Sequence, residues 1–291
     1  MLPFWVSIGL LSLTQGAIVA IPGAWSLPRE WSLRSRLWAA IPPISVIAFV
    51  FVARAGEHES TQALTYLALG AVPLLAALSL GGLGRAGRPK LALLVAPLFA
   101  LAWLDGGGLA GEAAALLLTG LSCVTLGVLL AGVTPARWLA AGVVAMALAD
   151  TALVVSTLLA QPNDVLNAAR PAAGLPRLQR VELGSAVMGY GDLFVAGVLG
   201  GLLAAGGEWG SQRRAAVLTA LLALSFDLLF FAVDELPATV PVALALVLCA
   251  LASRRGRRRS PRRGALIPGR LRRAGAPRRQ RSTCLPGADR R

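Results

Sequence analysis

The chain has 291 residues, of which 56% are hydrophobic and 14% charged, and it carries a formal net charge of +14. Soluble domains run nearer half apolar and a quarter charged, so a water-soluble core cannot absorb this excess, whereas a bilayer can. The charge is confined to one end: residues 1–253 hold 13 Lys and Arg against 13 Asp and Glu, and residues 254–291 hold 15 Arg and one Asp.

Charged and Pro/Gly-rich breaks divide the body into nine apolar segments, approximately 3–24, 37–53, 62–82, 90–104, 108–133, 137–160, 183–206, 214–233 and 236–252. A membrane span needs about 20 mostly apolar residues. Backbone groups facing lipid must bond within their own segment, so these segments predict helices. Strict alternation is missing, which argues against a β-barrel. The expected fold class is therefore all-α: a polytopic helical membrane protein with about nine transmembrane helices.

The first segment, Met1 to Trp25, is apolar from its start, lacks the basic leader of a secretory signal, and reads as a span. The single histidine, His58, falls in a connection between Glu57 and Glu59. Asp150, Asp192 and Asp227 fall inside the sixth, seventh and eighth segments. The connection from Gln161 to Leu183 contains Pro162, Pro171 and Pro176 and reads as a solvated linker; the sharper alternative is a gate over a site between the spans it joins. The seventh segment carries Gly189-Tyr190-Gly191-Asp192, followed by Gly197 and Gly201 in a small-xxx-small pair suited to tight helix packing. The ninth opens with Leu236-Pro237-Ala238-Thr239-Val240-Pro241, and prolines are tolerated in a first helical turn while holding the preceding chain extended.

The Arg-rich tail, 254–291, reads as a disordered basic arm whose partners are anionic lipid headgroups. No aromatic interleaving accompanies it, so nucleic acid binding is not expected. Cys123 and Cys249 lie in apolar segments and Cys284 in the tail, none at metal-ligand spacing, so no metal and no cofactor are expected. Connections after odd-numbered segments, with the tail, hold 24 Lys and Arg against 4 in the others. The positive-inside bias then puts the N-terminus outside and the C-terminus in the cytoplasm. The Arg-rich, Ala-rich composition suits a GC-rich bacterial genome, hence a bacterial cytoplasmic membrane.

An ionisable side chain at mid-membrane costs at least ~2.5–3.5 kcal/mol, so it usually faces a cavity and has a function. No Lys, Arg or His stands near mid-span to pair with the three acids. Asp150 lies ten residues before the end of the sixth segment, and Asp192 nine residues after the start of the seventh. At 1.5 Å per residue both carboxylates are expected about 15 Å below one surface, on antiparallel neighbours. Two apposed carboxyls share one proton and can activate a water while protonating a peptide carbonyl.

Taken together, these residues resemble the GxGD intramembrane aspartyl proteases, the family of presenilin and signal peptide peptidase. That family has nine spans, a catalytic Asp in the sixth, a second in Gly-x-Gly-Asp on the seventh, and Pro-Ala-Leu at the start of the ninth. Asp150 matches the first position; Gly189, Gly191 and Asp192 match the second motif, with Tyr190 between the glycines; Pro237 and Ala238 match the third. The chain departs from the pattern at Ala149, where the family has Tyr, at Thr239, where it has Leu, and at Pro241, one residue late. The resemblance covers roughly 137–244. It implies a presenilin-like arrangement with a five-helix part over 1–136 and a catalytic-like part over 137–253. It also implies transmembrane peptide substrates, Asp150 and Asp192 as the catalytic pair, and docking of the unwound substrate at Pro237 to Pro241.

Two other readings compete. A proton- or cation-coupled transporter would use the three acids as a relay and give Asp227 a task. A catalytically inactive scaffold descended from the protease would explain the altered motifs. No HExxH is present for a zinc protease, and His58 lies outside the spans where a serine–histidine dyad would need it.

Overall fold

The computed structural model describes residues 2–24, 35–45, 47–48, 59–156, 158, 174–207, 209–233 and 236–259. Met1–Ala252 form one compact unit and Ser253–Arg291 a second. The basic tail beyond 259 and most of the Gln161–Leu183 connection lie outside the described residues.

The described residues are helical apart from one hairpin. In chain order they form α1 (Phe4–Ala20), α2 (Glu59–Leu78), α3 (Val95–Leu104), α4 (Leu109–Val133), α5 (Ala136–Val155), β1 (Arg180–Leu183), β2 (Ala186–Gly189), α6 (Tyr190–Ala205), α7 (Trp209–Asp227) and α8 (Val240–Arg259). Counting their continuations, four helical stretches are long and apolar enough to cross a membrane: Gln62–Leu83, Leu109–Val133, Ala136–Val155 and Trp209–Phe231. Phe4–Ala20, Pro89–Leu104, Tyr190–Ala205 and Val240–Ala252 are shorter apolar helices. The second apolar segment is described only in part, as a 3₁₀ turn over Arg36–Ala40 that runs into helix at 41–45.

The distribution of side chains is that of a lipid-solvated molecule. Leu67, Leu74 and Leu78 on α2, Leu104 on α3, and Val155 at the end of α5 are exposed, while Ser12, Gln15, Thr119, Ser122, Thr125 and Gln212 are buried. Leucine gains nothing by hiding from hydrocarbon, so many leucines stay outside, while hydrogen-bonding residues share the interior with Leu11, Leu118, Leu139 and Leu199.

α4 is the central helix, and it crosses α6 at backbone contact. A Cβ at Gly197 would stand 2.2 Å from the Cys123 carbonyl oxygen, one at Gly127 would stand 2.0 Å from that of Gly197, and one at Gly201 would stand 2.5 Å from that of Gly127. Gly197 and Gly201 are packing residues, as their spacing predicts. α1 lies against α6 and α7. At its C-terminal end, the buried Gln212 donates to the carbonyls of Val19 (2.9 Å) and Pro22 (3.1 Å) and accepts from Arg85 (2.6 Å). Arg85 also stacks 3.7 Å over the Trp209 ring.

Two expectations are corrected. The seventh apolar segment is not one helix from 183, because β1 and β2 pair antiparallel, Leu183 opposite Ala186 and Arg180 opposite Gly189. Gly184 takes φ +61° at the first position of the two-residue turn, where a hairpin favours glycine. Asp192 accordingly sits in the first turn of α6 rather than nine residues inside a helix. Residues 176–183 are not a solvated linker: Pro176, Leu178, Val181 and Leu183 are buried, and Leu178 packs with Leu118 of α4. Their polar neighbours pair among themselves: Arg177 and Arg180 both bond Glu182, the former at 2.7 Å. Asp227, the last residue of α7, lies within the apolar stretch Trp209–Phe231 as expected, because α7 continues as a 3₁₀ turn over Leu228–Phe231.

Candidate active site

Asp150 lies on α5 five residues before its end, half-buried. Its Oδ2 accepts a 2.6 Å hydrogen bond from Thr239 Oγ1, and the Thr239 backbone N–H faces the same carboxyl. Thr239 is itself buried, in the turn before α8, where Val240 N–H donates to the Pro237 carbonyl at 3.1 Å. Pro237 holds this turn, and Pro241 sits in the first turn of α8, where a proline costs no helical hydrogen bond.

Asp192 is the third residue of α6. Its Oδ2 accepts from the Gly189 backbone N–H at 3.2 Å, the acidic half of a capping box that fixes the side chain at the helix start. α5 packs on α6, and the Asp150 carboxyl is close enough to act electrostatically on that of Asp192.

The other motif residues divide between site and scaffold. A Cβ at Gly189 would stand 3.2 Å from Asp192 Oδ2, so this glycine makes room for the carboxyl; one at Gly191 would meet only Met146 Cε, at an ordinary 3.6 Å. Tyr190 turns to α4, its hydroxyl 2.9 Å from Ser122 Oγ, and its carbonyl faces Cys123. Ala238 contributes its carbonyl to the site's framework rather than a side chain. Asp227 bonds none of these motif residues among the described ones: its Oδ2 accepts from Ser12 Oγ on α1 at 2.7 Å.

One participant was not signalled by any motif. Gln15 of α1, fully buried, donates from Nε2 to the backbone carbonyls of Asp192 (3.2 Å) and Ala238 (2.8 Å). A lone amide within an otherwise apolar span is the sequence feature that could have drawn attention to it. Among the described residues, no three His, Cys, Asp or Glu side chains gather as a metal site would need.

Compared with known proteins, the chain matches no family model, no curated protein and no solved structure. Function is therefore argued from the geometry of the site.

Proposed function

We propose that the protein is an intramembrane aspartyl protease, of presenilin-like nine-span arrangement, that hydrolyses peptide bonds in single-span membrane substrates. The observation that carries this reading is the meeting of Asp150 and Asp192. They come from adjoining helices, stand within electrostatic reach of each other, and are each held by a separate hydrogen-bond donor. An ion pair does not account for two acids brought together among apolar helices. A shared proton and an activated water do.

In the reaction, one carboxylate takes a proton from a water that attacks the scissile carbonyl carbon. The other carboxyl gives its proton to the carbonyl oxygen, forming a tetrahedral diol. In the collapse one diol hydroxyl returns a proton to the ionised carboxylate as the protonated carboxyl gives its proton to the departing amine, which leaves a carboxylic acid, an amine and a dyad that again holds one proton. The pair titrates as a unit, so neither acid is assigned the base. A helical substrate must unwind first, because its peptide bonds are engaged in its own helix. β2 runs directly into the Asp192 turn, and β1 is its one strand neighbour among the described residues. An unwound substrate segment adding to the far edge of β2 would be delivered to the dyad as an extended strand, where Thr239 of the Pro237–Pro241 turn bonds Asp150. The positive-inside bias orients the site toward the outer leaflet and suits substrates whose N-terminus is cytoplasmic.

The test is capture of the full chain on an immobilised hydroxyl-bearing transition-state analogue of peptide hydrolysis. Wild type is retained and is released by free analogue, while Asp150→Asn and Asp192→Asn are not retained. Equal retention of the variants would count against the dyad.

A further inference from the structure

Asp192 and the Pro237–Thr239 turn belong to different elements, and neither motif explains what fixes their separation. The hydrogen bonds trace a continuous path from one acid to the other. Gln15 Nε2 bonds the Asp192 carbonyl and the Ala238 carbonyl, and the next residue, Thr239, bonds the Asp150 carboxyl. The two acids are thus linked through α1, a helix that contributes neither of them. Two carbonyl oxygens face the amide, so chemistry dictates that its NH₂ and not its oxygen points to them. The consequence is costly. Gln15 Oε1 is buried without a hydrogen-bond partner among the described residues. Folds rarely leave such an atom unpaired, and one that does so is compensated by what the group does elsewhere. A leucine at position 15 would pack without this penalty and would leave the two carbonyls unlinked.

We propose that Gln15 is a positioning residue: by tying the first turn of α6 to the Pro237–Thr239 turn, it sets the distance between the Asp150 and Asp192 carboxyls. Its kinetic consequence rests on the protease reading; the tie itself does not. Because the tie sets the separation of the acids and holds the docking turn at a single backbone carbonyl, its loss lowers turnover more than it weakens substrate binding. The neighbouring polar residue on the same helix face, Ser12, bonds Asp227 and serves as a control.

The experiment compares full-length wild type, Gln15→Met and Ser12→Ala in proteoliposomes. Gln15→Met keeps the side-chain length and removes the donor. kcat and KM are measured for a single-span peptide, per active site titrated with the transition-state analogue. Amide hydrogen exchange is followed over 190–193 and 236–243. For Gln15→Met, kcat falls tenfold or more, KM changes by a clearly smaller factor, and exchange quickens in both segments while α4 is unchanged. Ser12→Ala matches wild type. Should Gln15→Met not fold, Gln15→Asn is read in the same way, since it is one methylene too short to reach both carbonyls. A folded variant with kcat within twofold of wild type, or with exchange unchanged in both segments, overturns the proposal. If wild type shows no acid-dependent cleavage yet exchange still quickens in both segments of the Gln15 variant, the tie stands and the protease reading falls.

Discussion

Thr239, which in the resemblance to GxGD proteases stands at their leucine position, reaches Asp150 Oδ2 with its hydroxyl at 2.6 Å. A hydroxyl can hold one carboxyl oxygen and so orient the other, which a leucine cannot do. A hydrogen bond to a charged group contributes about 1.5–3 kcal/mol, and about 1.4 kcal/mol is a factor of ten in rate. Thr239→Val is expected to lower kcat by about ten- to a hundred-fold, and Thr239→Ser to restore most of it, in a cleavage assay with a single-span peptide. Asp227 provides the contrast. It bonds Ser12 at the end of α7 and makes no hydrogen bond to the dyad's framework among the described residues. Asp227→Asn should therefore leave kcat within twofold of wild type; a loss as deep as that of the dyad variants would move the acid into the reaction and favour a relay. Of these residue-level contacts, the acids themselves were legible in the sequence, because a carboxylate in an apolar run is costly wherever it falls. The partners were not. Gln15 meets residues 177 and 223 positions away, and no local pattern encodes a bond across that separation.

Among the elements, the crossing of α4 and α6 carries the site. The Gly127, Gly197 and Gly201 backbones approach so closely that added methyl groups would overlap backbone atoms, which cannot rotate aside. Gly197→Ala should destabilise the protein by at least about 3 kcal/mol, at the upper end of overpacking costs. Gly191→Ala meets only the flexible end of Met146 and should leave the thermal midpoint within a few degrees. Thermal unfolding in detergent measures both. The glycine spacing was readable from the sequence because packing of this kind is local to one helix face. The hairpin was not. Val181, Leu183, Ala186 and Met188 prolong the apolar run of the helix that follows, and hydropathy does not separate a short buried strand from a helix turn. The start of that helix matters for the chemistry, because it places Asp192 at an N-terminus with backbone donors about it instead of in mid-helix.

At the scale of the whole molecule, exposed leucines and buried amides and hydroxyls describe a protein turned toward lipid, as the composition alone implied. The four long apolar helices support that placement, and the shorter ones complete a compact body around α4 and α6. The proposed orientation, with the C-terminus in the cytoplasm, rests on the bias of 24 Lys and Arg against 4 between the two sets of connections. A cysteine-free variant given one cysteine after position 285 should react with a membrane-impermeant maleimide only after cells are opened. Labelling of intact cells would reverse the topology and the preferred substrate direction.

The account depends most on the joint action of two acids, and cleavage of a defined single-span peptide by purified protein in liposomes tests it most directly. Wild type should release two fragments cut within the span, and Asp150→Asn and Asp192→Asn, each still folded, should each reduce the rate at least a thousand-fold, by roughly 4 kcal/mol or more of lost transition-state stabilisation. Undiminished cleavage by either variant would contradict the account, as would a wild type that binds the peptide and leaves it whole.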